Sequence, residues 1–124
     1  MVIDCIPFFN ELDILKLRLH ILDPLVDRFV IEEAGLPKDL CFEKNREMFE
    51  EFLPKITYLV VDNSPEEIST HERDKFQKNA LAKALTDASD EDVLILSDVD
   101  EIPNPAVLQA LVKRFDPDKI YHLA

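Results

Sequence analysis

The feature that most restricts the fold of this chain is an alternation of short, apolar, β-rich runs with stretches of helix length. The runs are Val2 to Ile6, Arg28 to Glu32, Ile56 to Val61, Val93 to Ser97 and Lys119 to Leu123. Such alternation predicts an α/β domain in which a mostly parallel sheet is flanked by helices. The first helix is expected over Asn10 to Leu22, with Asn10 as N-cap, Asp13 in the first turn and Asp23-Pro24 as the stop. A shorter one follows from about Asn45 to Phe52. Ser69-Thr70-His71-Glu72 matches a capping box and opens a helix reaching about Leu85. Asn104-Pro105 places an N-cap before proline at the first helical position, ahead of Ala106 to Phe115.

A chain of 124 residues, 47% of them hydrophobic, is one domain's worth of polypeptide with a real core, and residues 1–124 are read as a single unit. Its 26 acidic and 14 basic residues give a formal charge of -12, which repels a phosphate backbone or an anionic membrane. Nucleic acid is therefore not an expected partner. If the ligand is itself an anion, a divalent cation held between carboxylates is the local remedy. Cys5 and Cys41 stand far apart, with no Cys-x-x-Cys, so neither zinc nor a disulfide framework is suggested. With no leader-like N-terminus and no long apolar run, the reading is a cytoplasmic chain without a membrane segment. The single glycine, Gly35, rules out both a Gly-x-Gly-x-x-Gly loop and a Walker-type phosphate loop.

The strongest chemical signal is Asp92-Val93-Leu94-Ile95-Leu96-Ser97-Asp98-Val99-Asp100-Glu101-Ile102-Pro103, an apolar strand running into carboxylates. In open α/β sheets ligands collect beyond the carboxyl ends of the strands, where Asp98, Asp100 and Glu101 emerge. Strand alternation would put Asp98 and Asp100 on one side, facing one cation, and turn Val99 into the protein. Hard oxygen ligands suit Mn²⁺ or Mg²⁺. The competing reading is that these acids only decorate a strand end and the approach to the Asn104 helix.

On the capped helix, Arg73, Phe76, Gln77, Ala80 and Ala84 share one stripe. Arg73 and Gln77 lie in its first turns, so Arg73 is either a fork of donors for phosphate or an ion-pair partner of Asp98 or Asp100. Glu32 and Glu33 close the second run at the same sheet edge, where either can accept hydrogen bonds from a base or ribose. His20 and His71 show no catalytic or zinc spacing and read as solvated or structural, and Asp62 reads as a turn residue.

Several blocks together resemble glycosyltransferase family 17, the family of the β-1,4-mannosyl-glycoprotein 4-β-N-acetylglucosaminyltransferase. They are Val2-Ile3-Asp4-Cys5-Ile6-Pro7-Phe8-Phe9-Asn10-Glu11-Leu12-Asp13, Arg18-Leu19, Phe29-Val30-Ile31-Glu32, Glu72-Arg73, Phe76-Gln77-Lys78-Asn79 and Ile95 to Pro105. The resemblance implies a GT-A, Rossmann-like fold, a UDP-sugar donor of the UDP-N-acetylglucosamine kind, and inverting transfer to a glycan acceptor. It makes Asp100 the direct metal ligand and Asp98 its partner towards ribose or metal-bound water. It assigns Arg73, Gln77 and Asn79 to the helix before the Asp-x-Asp, and brings Pro7, Phe8, Asn10, Glu11 and Glu32 near the uridine. The catalytic base and the acceptor half of a GT-A enzyme are expected beyond Ala124, so this chain reads as the donor-binding part. The loop after Glu32 is shorter than the family pattern.

The rival readings are a non-catalytic nucleotide-sugar-binding or interaction module, an Asp-x-Asp phosphatase and a receiver domain. The phosphatase pattern wants Gly and Thr after its second Asp, where Glu101-Ile102 stand. A receiver would need an acidic pair after the first strand and a Lys after the fifth, which Pro7-Phe8-Phe9 and Tyr121-His122-Leu123 do not supply.

Overall fold

The computed structural model describes residues 1–34, 41–61, 75 and 79–122. Strand β1 (Val2–Phe8) leads through helix α1 (Leu12–Leu22) to β2 (Arg28–Ala34), and a 3-10 helix (Glu43–Lys55) leads to β3 (Ile56–Val61). Helix α2, described over 79–84, precedes β4 (Val93–Leu96), and helix α3 (Pro105–Lys113) follows it. The four strands form one parallel sheet in the order β3-β2-β1-β4. The chain thus builds outward from β1 to β3 on one side, then returns to lay β4 on the other.

The central position of β1 explains why Val2 to Ile6 are all buried, since a parallel strand flanked on both sides is covered on both faces. One face carries Ile6, Phe8, Phe29, Ile31 and Val93, packed with Leu15, Leu19 and Leu22 of α1 and with Phe42, Phe49 and Phe52 of the 3-10 helix region. The alternate residues Ile3, Cys5 and Val30 face the other way, against Leu81, Leu85 and Ala88. Leu15, Leu19 and Leu22 have no exposed surface, so truncating any of them to alanine would cost about 2–5 kcal/mol.

Four expectations change in detail. Asn10 does not cap α1: it stands at φ 51°, and Glu11 is the N-cap residue, its carbonyl accepting the N–H of Leu15 at 2.9 Å. The segment around Asn45 to Phe52 is a 3-10 helix interrupted at Asn45 and Phe49, where the Asn45 side chain donates to the Cys41 carbonyl at 2.8 Å. Strand β4 stops at Leu96, one residue early, and beyond it the Ser97 hydroxyl bonds Arg18 and the Glu101 carbonyl. No fifth strand forms over residues 119–122. There Tyr121 folds back, its ring 5.6 Å from that of Phe115 and its hydroxyl accepting the N–H of Asp116, while Ile120 is left 89% exposed.

The Asn104 cap forms as expected, its Oδ1 accepting the N–H groups of Ala106 and Val107. The capping box Ser69 to Glu72 lies outside the described residues. Among the described residues no helix is long and apolar enough to cross a membrane.

Candidate functional site

Two strand ends form the site. At the end of β1, Phe9 and Asn10 carry the chain off the sheet, and the left-handed backbone of Asn10 is one that asparagine tolerates better than most residues. At the end of β4, Asp98 to Glu101 make a tight turn. Glu101 donates its N–H to the Asp98 carbonyl at 2.9 Å, and its side-chain Oε1 accepts the Asp98 N–H at 3.0 Å. Val99 is buried in the main core, so the turn is pinned from below, and Asp98 and Asp100 stand exposed on either side of it. Their common orientation towards the cleft therefore comes from a turn rather than from the strand alternation expected.

Beneath the turn lies Arg18 of α1, fully buried and bonded through all five of its N–H groups. Nε donates to Oδ2 of Asp4 at 2.9 Å and Nη2 to Oδ1 at 2.6 Å, a bidentate pair inside the protein. Nη2 also donates to Ser97 Oγ at 2.8 Å, and Nη1 to the carbonyls of Asp98 at 2.7 Å and Glu101 at 3.3 Å. Ser97 in turn donates its hydroxyl to the Glu101 carbonyl at 3.0 Å.

An open cleft of about 370 Å³ lies over the carboxyl ends of β1, β2 and β4. It sits where the strand order reverses, between β1 and its neighbours β2 and β4, the place where open α/β sheets take their ligands. Of the residues singled out in the sequence, Pro7, Phe8, Glu11, Glu32, Asp98 and Asp100 line it together. Phe9, within the Pro7 to Glu11 turn that the resemblance brings near the uridine, and Val99 complete the wall. Phe8 is chiefly a core residue and Asn10 contributes the turn rather than the wall. Asn79 is exposed on α2 and does not line the cleft. Arg73, Gln77, Asp62 and His71 lie outside the described residues.

The lining is strongly acidic, with carboxylates from Glu11, Glu32, Asp98 and Asp100. Glu32 is the unusual one. It is 6% exposed, its Oε1 has no hydrogen-bond partner among the described residues, and burial pushes its pKa up to about 7. Its neighbour Glu33 points to the opposite face, where its carboxylate accepts from Tyr58 and from the Phe42 N–H. Among the described residues no group of three or more His, Cys, Asp or Glu side chains is arranged to hold a metal ion. Asp98 and Asp100 are a pair on a turn.

Elsewhere, a second cavity of about 340 Å³ lies at the opposite end of the strands, lined by Val2, Val93, Val112 and Phe115 with Met1, Glu91 and Pro117. Cys5 and Cys41 are free and buried, and burial pushes the Cys5 thiol up to about 12, which makes it inert. His20 pairs with Glu51 at 3.2 Å and packs edge-on against Phe52, the structural role expected of it.

Reading the sequence missed Asp4, Arg18 and Ser97 as parts of this site. Two anomalies carried the signal: an acid inside the apolar run of β1, and an arginine on the apolar stripe Leu15-Leu19-Leu22 of α1. Compared with known families, the chain matches the model of glycosyltransferase family 17 over residues 1–124, its whole length. A comparison with curated proteins gives no match.

Proposed function

The chain belongs to glycosyltransferase family 17, and on that premise we propose that its cleft seats the diphosphate of a UDP-sugar, held with Mn²⁺ or Mg²⁺ at Asp98 and Asp100, for inverting transfer to a glycan hydroxyl. The observation that carries this reading is the convergence of two exposed aspartates, on one fixed turn, with a buried and unsatisfied Glu32 in a single cleft at the switch point.

The donor set fits a hard divalent cation. Every candidate ligand is a carboxylate oxygen, and such ions are commonly held by one or two carboxylates with phosphate and water filling the other positions. Asp98 and Asp100 are therefore sufficient without a third protein ligand. When bound, the ion supplies Lewis-acid neutralisation of the charge that develops on the departing diphosphate.

The remaining work falls to the protein's own groups. In a chain of net charge -12, the cleft would repel a bare diphosphate, so donor binding depends on the aspartate pair recruiting a cation first. Pro7 and Phe9, both exposed, offer an apolar wall for the flat face of a base. The orphan Oε1 of Glu32 awaits a donor from the base or ribose, and a ligand that supplies one relieves a buried, unpaired oxygen.

Thermal unfolding with added ligands tests this. Mn²⁺ and UDP together should raise the melting temperature, by on the order of 10 °C at a hundred times the dissociation constant, and UDP alone should do little. In Asp100→Asn the metal-dependent shift should vanish. Equal stabilisation by UDP with and without Mn²⁺, or a wild-type shift in Asp100→Asn, would refute the reading.

A further inference from the structure

Resting on that reading, we propose that Arg18 is the positioning residue of the donor site: clamped by Asp4, it fixes the Asp98–Glu101 turn by its backbone and so sets where the two aspartates stand. The side chain reaches from α1 past Asp4 of β1 to the turn after β4, and its five donors meet five acceptors on two separate pieces of chain.

What those acceptors are decides the role. Two are the main-chain carbonyls of Asp98 and Glu101, the first and last residues of the turn, and a third is the hydroxyl of Ser97, which itself bonds the Glu101 carbonyl. None of the five bonds goes to the carboxylate of Asp98 or Asp100. The guanidinium charge is met within the protein by the bidentate Asp4, so the pair is close to neutral as a unit. Arg18 thus anchors the turn without its charge being matched by the aspartates that the cation is to meet. An unpaired arginine in the same place would compete with the metal for them.

Stability alone gives little reason for this arrangement. A buried ion pair pays desolvation on both partners, and well-packed apolar residues of similar volume often serve as well or better. The fork geometry does have a use here. Lysine has three donors on a mobile stem and cannot hold two carbonyls, a hydroxyl and a carboxylate at once. Residues behind a metal ligand that fix its orientation typically change metal affinity 10–100-fold when replaced.

The test compares Arg18→Lys and Ser97→Ala with Lys55→Met. Lys55 bonds Asp23 and Val26 at the opposite ends of the strands, so its loss reports a structural cost remote from the cleft. Titration of Mn²⁺ and UDP should show dissociation constants raised roughly tenfold or more in Arg18→Lys and in Ser97→Ala, but within about twofold of wild type in Lys55→Met at a comparable loss of melting temperature. In the metal-free protein, amide exchange at the Glu101 N–H should quicken in the first two variants only. Should Arg18→Lys fail to fold, Ser97→Ala still decides. Wild-type affinity in the variants, or unchanged exchange at Glu101, overturns the positioning role alone. No binding of Mn²⁺ and UDP by the wild-type chain overturns the functional reading, and the positioning role with it.

Discussion

Tyr58 donates its hydroxyl to Oε1 of Glu33 at 2.5 Å, and that same oxygen accepts the N–H of Phe42 at 3.2 Å. Glu33 is therefore committed to joining β2, β3 and the start of the 3-10 helix, whereas Glu32, one residue earlier, faces the cleft with an oxygen unused. Burial, with the Glu33 carboxylate beside it, raises the Tyr58 phenol well above its ordinary range.

Removing that hydroxyl in Tyr58→Phe leaves Glu33 with a single backbone donor. The expected cost is about 2 kcal/mol, within the range for a bond to a charged group, and urea denaturation measures it. A loss below about 0.5 kcal/mol would show that the pair adds nothing net.

Glu32 predicts a pH dependence of folding whose sign is fixed. Its folded pKa is about 7, against 4.5 ordinarily, so over that window the folded chain holds a proton that the unfolded chain has released. Its favourable contribution is complete below about pH 4.5 and disappears as pH climbs through about 7. Glu32→Gln should match wild type in acid and exceed it at about pH 8, by at most on the order of 3 kcal/mol. Parallel stability-against-pH curves for the two proteins would contradict this.

Asn10 contributes through its backbone. Asn10→Gly should keep both stability, within about 0.5 kcal/mol, and the affinity for Mn²⁺ with UDP, because glycine accepts a φ of 51° without strain. Asn10→Val should cost about 1–2 kcal/mol. A large loss of affinity in the glycine variant would instead give the amide side chain a direct role.

Helix α3 depends on its cap. Asn104→Ala removes the acceptor for the N–H groups of Ala106 and Val107 and should cost about 1 kcal/mol in chemical denaturation, with Mn²⁺-dependent UDP binding little changed. A loss of affinity matching that of Ser97→Ala would mean that the cap also supports the turn.

The four parallel strands were readable because each is a short apolar run set off by helix-length sequence, a pattern that follows from burial on both faces in β1, whereas the outer strand β4 leaves Leu94 and Leu96 exposed. The run around Ile120 and Tyr121 has the same composition, but whether such a run pairs depends on what lies beside it, and Phe115 provides a competing contact. The convergence of Pro7, Glu32, Asp98 and Asp100 was legible too, since parallel topology brings their strand ends to one edge. The join between Asp4 and Arg18 was not. It requires the period of a strand and that of a helix to be superimposed, and both residues look like errors in an apolar pattern until they are seen to answer each other.

Because β1 takes β4 as a neighbour, with Val2 opposite Val93, that edge of β1 waits for its partner until the chain has been made as far as β4. Until then Arg18 also lacks the Ser97, Asp98 and Glu101 oxygens that complete its shell. Pairing of β4 with β1 and assembly of the binding turn consequently both wait on the synthesis of residues 93–101. A nascent chain halted after β3 would hold the floor of the cleft, with Glu11 and Glu32, and the partly satisfied guanidinium beneath it, but not the aspartate pair of the turn.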